Sequence, residues 1–269
     1  MNGGMRSNPA LAAGAALTLL IVAAALLSWI WLPYDPTAMD IPARLQPPSW
    51  RHWFGTDAYG RDLLSLVAAG ARATLEVALA ASLVGAGAGV PLGLLAASRG
   101  GIVEEIVTRA GDVVFAFPAL LTAVLIAAVQ GPGIGPVVAA VGLFNVSVFA
   151  RVTRAAAHGL LHRDFILAAR LAGKSGARIA VEHVLPNCLP LLLVQGAVQF
   201  SLAVIAEAGL SYVGLGLQPP TPSWGRLLES AQTMMAQAPW LAIFPGLAIL
   251  LTVLGFSLLS DGLREARSR

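Results

Sequence analysis

The eight residues Ala168 to Ser175, AARLAGKS, satisfy the loose form of a phosphate-binding loop: a small residue, four of any kind, then Gly-Lys-Ser. Such a loop works when a buried strand precedes it and a helix follows, so that backbone N–H groups converge on phosphate oxygens. Glu207 is the second group with chemical potential, because a carboxylate at the centre of a bilayer costs about 3 kcal/mol. His158 and His162 lie four apart and could meet on one helix face. The four histidines nevertheless supply no third position for a metal cluster, and the single Cys188 adds neither a disulfide nor a thiolate cluster. Neither His-Glu-x-x-His nor Gly-x-Ser-x-Gly occurs, so an intramembrane protease or lipid hydrolase would lack its reacting groups.

The elements that position these residues follow from composition. With 57% hydrophobic and 12% charged residues in 269, the chain has too little polar material to cover a soluble globule. Its charges are clumped, leaving Ser7–Tyr34, Val77–Ser98, Val113–Ala150, Val184–Ala206 and Ser230–Ser260 uncharged. Each interval can cross a hydrocarbon core of about 30 Å, which takes roughly 20 helical residues. The turn-forming run Gln130-Gly-Pro-Gly-Ile-Gly-Pro136 divides the third. The sequence therefore predicts an all-α polytopic membrane protein with six transmembrane helices, near 10–32, 75–98, 110–130, 134–152, 188–212 and 240–260.

Twelve of the 17 basic residues, from Arg6 and Arg99 through the 151–187 segment to Arg264, Arg267 and Arg269, fall on the side of both termini. Arg44, Arg51, Arg61, Arg72 and Arg226 fall on the other. That excess predicts a multi-pass membrane protein with both termini cytoplasmic. The apolar run from Leu11 to Leu32 exceeds a signal-peptide core, so it reads as a retained helix. The chain divides into residues 1–72, a first helix and extracytoplasmic segment; 73–264, a five-helix core; and 265–269, a basic tail with possible lipid headgroup contact.

Three polar segments exceed simple turns. The extracytoplasmic segment 33–72 holds Phe54-Gly-Thr-Asp57 and Gly60-Arg61-Asp62, then a run, Leu63–Ala71, predicted as a separate interfacial helix. The segment 213–239, also outside, carries Gln218-Pro-Pro-Thr-Pro-Ser-Trp-Gly225. Arg151–Asn187 is the long cytoplasmic segment. There Asp164 is predicted to cap a helix over 165–172, Gly173 to stop it, and Ser175 to cap a second helix leading to Pro186. The residues before Ala168 thus read as helix rather than strand. The 37-residue segment is also shorter than the roughly 50 residues of an independent domain, which removes the nucleotide site.

At this segment the chain resembles the inner-membrane permeases of binding-protein-dependent ABC importers. Their cytoplasmic motif reads roughly Glu-Ala-Ala, three residues, Gly, nine residues, Ile/Val, one residue, Leu-Pro. Here it appears as Leu167-Ala168-Ala169, Gly173 and Val184-Leu185-Pro186-Asn187. The 54–62 motif and the run Ser211 to Gly225 are similar to the dipeptide, oligopeptide and nickel branch, second permease subunit. What the resemblance implies is the type I importer permease fold and a transport subunit without covalent chemistry, forming half of a pathway for peptides or a similar small solute. The implied partners are a second permease, two ABC ATPase subunits that carry the ATP and Mg, and an extracytoplasmic solute-binding protein, within membrane lipid. No cofactor on this chain and no nucleic acid are expected.

The motif segment becomes a coupling helix seated on the ATPase, between the fourth and fifth spans. Asp164, Phe165, Leu167, Ala168, Ala169 and Gly173 are the candidates for that contact, with Leu185 and Pro186 anchoring the segment to the fifth span. Leu167 stands where the family has an acid, so an apolar contact is expected there in place of an ion pair. Asp57, Arg61, Asp62 and Trp224 are candidates for the extracytoplasmic partner.

Asn145, Gln195, Gln199 and Glu207 are candidates for the pathway or its gate. The amides could line the pathway or bond helix to helix. Glu207, 19 residues beyond Cys188 and so about 28 Å along the span, is expected near the outer interface, as a structural or gate residue or as a solute contact. Local ion pairs Arg72–Glu76 and Arg109–Asp112 are expected from their helical spacing. A stand-alone channel or secondary carrier is the alternative, but a free-standing pore has no use for the docking segment.

Overall fold

The computed structural model describes residues 9–268, with side chains to residue 265. Arg6 and Arg269 lie outside the described residues, as does the side chain of Arg267. The chain folds as α1 (Pro9–Leu27), α2 (Leu63–Arg99), α3 (Gly101–Ala116), α4 (Ala119–Gln130), α5 (Ile134–Leu161), α6 (Asp164–Leu171), α7 (Gly176–Ile179), α8 (Leu185–Tyr212), α9 (Trp224–Ala231) and α10 (Trp240–Ser268). Among the described residues no strand forms beyond an isolated bridge between Thr56 and Asp62. Five helical stretches are long and apolar enough to cross a membrane, and α3 with α4 makes a sixth if that bent pair is one span.

Three boundaries depart from expectation for local reasons. The predicted interfacial run Leu63–Ala71 is instead the first part of α2, because Arg72 and Glu76 tip toward the helix exterior without interrupting its backbone ladder. The predicted third span begins earlier and breaks at Phe117-Pro118, where α3 and α4 meet at 82°. A residue before proline is pushed out of the helical region, and Phe117 has φ −105° and ψ 123°. Pro186 opens no new helix: α7 runs through a π turn, Ala180–Val184, directly into α8.

Helix association in lipid depends on close packing of small residues. On α2, Gly85, Gly89 and Gly93 form a stripe of four-residue spacing against α5. A methyl group added at Gly89 would lie 2.5 Å from the Val146 carbonyl oxygen and 2.7 Å from Phe149 Cβ. One at Gly93 would lie 2.5 Å from the Ala150 carbonyl oxygen, and one at Gly85 would collide with Asn145 Cβ. The pair α1 and α10 uses the same device in antiparallel register, with Gly14 on Leu258–Leu259, Gly255 on Leu17 and Thr18, and Gly262 on Leu11. Two cores result. One, at the end of the bundle that carries α9, gathers Leu63, Leu66, Val137, Leu210, Leu217 and Trp224. One on the side of α6 gathers Leu94, Phe149, Ala157, Ile166, Ile179, Val184 and Cys188.

Candidate functional site

The stretch AARLAGKS straddles the end of α6. Gly173 adopts φ +76°, and its N–H donates to Arg170 O at 2.9 Å while the Lys174 N–H donates to Ala169 O at 3.1 Å. This is a Schellman closure, which satisfies carbonyls that the helix leaves open and favours glycine at the left-handed position. Lys174 reaches across the turn. Its Nζ donates to Glu182 Oε2 at 2.6 Å and meets His183 Nε2 at 2.9 Å, while Arg178 Nε donates to Glu182 Oε1 at 2.6 Å. A clasp of three charges therefore ties the end of α6 to the π turn. No strand precedes the Gly-Lys-Ser run, so its N–H groups have no cradle to line.

The faces of α6 are distinct. Ile166 and Ala169 are buried on the chain's own core, whereas Phe165, Leu167, Ala168 and Leu171 face outward. Leu171, at 90% exposure, stands one turn beyond Leu167 and is the most exposed apolar residue of α6. Ala169 is thus a correction: at 7% exposure it anchors α6 rather than offering itself to a partner. Leu171 and Ile166 were missed by motif reasoning, although an apolar residue at i and i+4 beside an inward-facing one is the ordinary signature of a two-faced helix. Asp164 is the first helical residue and Arg163 precedes it without side-chain capping, so the expected Asp164 cap does not form. Ser175 does cap α7, accepting from the Arg178 N–H at 3.4 Å. Leu185 packs against the core beside Cys188, and Pro186 is exposed within the continuous helix.

The candidate pathway amides meet one another. Gln195 Nε2 donates to Gln199 Oε1 at 3.2 Å, and Gln199 Nε2 to Asn145 Oδ1 at 2.7 Å. Asn145 Nδ2 reaches Ala81 O at 3.5 Å, so the ladder joins α8, α5 and α2. Asn145 and Gln199 are each 2% exposed, which makes them helix-to-helix ties in this structure. Gln199→Leu is expected to cost about 1–3 kcal/mol by stranding a buried Asn145 acceptor, and Asn145→Leu/Gln199→Leu to recover much of it. A thermal-melt double-mutant cycle in detergent checks this; additive losses would count against the ladder.

Glu207 is fully buried near the C-terminal end of α8. Its Oε1 accepts from Ser211 Oγ at 2.6 Å, and Ser211 Oγ accepts from the Leu217 N–H at 3.2 Å. Thr74 and Ser223 approach the same carboxyl. Through Ser211, Glu207 thus braces the 213–223 segment on α8 in a place closed to solvent, while its Oε2 is buried without a hydrogen-bond partner among the described residues.

The extracytoplasmic candidates are turned inward as well. Asp57 accepts from Arg61 Nε at 2.7 Å; Asp62 accepts from the Ser65 N–H at 2.9 Å and pairs with His52 Nδ1 at 2.8 Å. Trp224 is 1% exposed, and its Nε1 donates to Val67 O at 2.9 Å. Asp62 and Trp224 are corrections: they hold their own segments on α2 and have no side-chain surface left for a partner.

The residues of the two expected local ion pairs take other partners. Arg72 lies over the Trp29 ring rather than beside Glu76. Arg109 pairs with Glu105, while Asp112 pairs with Arg151 at 2.6 Å. His158 joins Arg154 on Glu104.

Residues 89–269 match the family profile described as "Binding-protein-dependent transport system inner membrane component". The chain belongs to this permease family. Relatives extend the match to nearly the whole permease. It is 42% identical over 94% of its length to the di/tripeptide transport system permease protein DppC of Pseudomonas aeruginosa, of which 86% is covered. It is 40% identical over 97% of its length to the glutathione transport system permease protein GsiD of Pectobacterium atrosepticum, of which 87% is covered. Among solved structures, an inward-facing MetNI methionine ABC transporter matches with a TM-score of 0.58 at 19% identity, over 77% of this permease and 97% of that chain. The fold is that of a type I ABC importer permease, and the protein is a multi-pass subunit of a bacterial inner-membrane importer.

Proposed function

We propose that this permease forms half of a translocation pathway for peptides or similarly small peptide-like solutes, delivered by an extracytoplasmic binding protein. In this reading α6 seats on a separate ATPase subunit, both termini are cytoplasmic, and ATP and Mg bind only on the ATPases. A second permease completes the pathway, and no covalent chemistry occurs on this chain. The observation that carries the proposal is the outward apolar pair Leu167 and Leu171 on a short helix braced from behind by Ile166, Ala169 and the Lys174–Glu182 clasp. A braced helix transmits displacement, and an apolar face on a polar surface marks a protein contact. The peptide cargo rests on the relatives named for di/tripeptides and glutathione.

The test is reconstitution of the permease with its companion permease, ATPases and binding protein in proteoliposomes. Leu171→Asp is expected to leave membrane insertion intact, abolish co-purification with the ATPase and lower ATP-driven dipeptide uptake by about tenfold or more, equivalent to about 1.4 kcal/mol of lost contact. Unchanged association and uptake would sink the docking assignment. Efficient uptake of a sugar with no uptake of any peptide would sink the cargo assignment instead. Leu167→Glu raising coupled uptake well above wild type would show that the contact is not adapted to an apolar residue.

A further inference from the structure

The extracytoplasmic segment is not loosely hung. The Leu45 N–H donates to Asp57 O at 3.0 Å and the Thr56 N–H to Gln46 O at 3.0 Å, so residues 45–46 and 56–57 are zipped together. The intervening tip is pinned by His52 on Asp62, by the Tyr34 hydroxyl donating to Arg51 O at 2.8 Å, and by the Tyr34–His52 ring contact. On this rigid tip Trp50 is 98% exposed and Trp53 68%, and with Pro48 and Ser49 they border an open hollow of about 600 Å³. Two fixed, exposed indoles are costly to leave in water, because each offers a large apolar area.

The level of the tip identifies what covers them. Phe54 stacks on Phe244 with centroids 3.8 Å apart, and Trp240 Nε1 donates to Thr56 O at 3.3 Å, so the tip rests on the first turns of α10. The α1–α10 register, Leu11 with Gly262 and Leu17 with Gly255, carries the end of α1 level with Phe244. That end continues into Trp29, Ile30 and Trp31, all exposed. Tryptophan concentrates where hydrocarbon meets headgroups. Arg51, exposed between the two indoles, has no carboxylate partner among the described residues and is free to meet a phosphate ester.

We infer that the tip Pro47–Phe54 is a membrane-interface anchor, bedding Trp50 and Trp53 in the headgroup layer of the outer leaflet with Arg51 facing lipid phosphate. It fixes the extracytoplasmic segment at a set depth beside the outer ends of α1 and α10. The occupant is phospholipid rather than a protein partner, because the tip sits level with the span ends and continues their aromatic rim.

The assembled importer in phospholipid nanodiscs, with and without its binding protein, tests this. The emission belonging to the tip is the difference between wild type and Trp50→Phe/Trp53→Phe, with each single variant measured in case the double variant fails to fold. Lipids brominated near the headgroup end should quench that difference strongly, lipids brominated near the chain end weakly, and aqueous acrylamide little. Strong acrylamide quenching with no effect of either brominated lipid would overturn the anchor. Shielding from acrylamide that appears only when the binding protein is added would overturn it too and assign the tip to that protein.

Discussion

Gly89→Val is expected to leave little folded permease in a detergent extract, whereas Gly87→Ala, one half-turn away, should behave as wild type. The contrast rests on what each position faces. At Gly89 the first added carbon already lies 2.5 Å from a carbonyl oxygen, 2.7 Å from Phe149 Cβ and 3.1 Å from the Ala150 nitrogen; at Gly87 nothing lies within 4 Å. Two of the three obstacles at Gly89 are backbone, which cannot rotate away. α2 and α5 would have to part along their length, loosening Gly85 and Gly93 as well and stretching the Asn145–Gln199 tie. Overpacking costs about 1–3 kcal/mol in ordinary cores, and a whole helix pair held by contact rather than by the hydrophobic effect places this variant at or above the upper end. Fluorescence-detected size-exclusion chromatography over a temperature series reads the result. A Gly89→Val permease that elutes and melts like wild type would mean that the helices are not in backbone contact.

Gly173→Val should give the opposite phenotype, a permease that inserts and elutes normally but no longer couples. Space is not the obstacle, since nothing lies within 4 Å of an added Cβ; the obstacle is φ +76°, which a β-branched residue resists. The left-handed conformation costs roughly 1–2 kcal/mol, enough to open the Schellman turn in most molecules and to draw Lys174 away from Glu182. ATP-driven uptake is expected to fall about tenfold or more, while ATP hydrolysis by the assembled complex loses its response to loaded binding protein. Gly173→Asn, which tolerates this conformation better, should recover part of the uptake. Equal uptake in all three proteins would remove the turn from the coupling scheme.

Much of the helix order was legible because charge is excluded from hydrocarbon, and the gaps between charges marked the spans. What stayed hidden depended on partners distant in sequence. Arg151 takes Asp112 from Arg109, and Trp29 takes Arg72 from Glu76, choices that local spacing cannot foresee. Trp224 was a candidate contact for the extracytoplasmic partner, yet a carbonyl 157 residues away claims its indole. Other features were written in the sequence and passed over: the four-residue glycine spacing 85, 89, 93 is a helix-contact signature, and Pro118 announces the broken third span. The motif drew attention to the segment that holds α6, but its polarity, Ala169 inward and Leu171 outward, emerges only once Ile166 is seen in the core.

The unbroken helical path from Gly176 to Tyr212 has a mechanical meaning. At about 1.5 Å per residue its 37 residues make a rod of about 55 Å, clamped near one end by the charge clasp and near the other by Glu207 on the 213–223 segment. If α6 docks as proposed, a push on it would pass through the clasp into this rod and reach its far end, and Pro190, inside α8, is where such a rod would flex. In the coupling proposed above, the stiffness of this rod is what would turn a chemical cycle on one face of the membrane into an opening on the other.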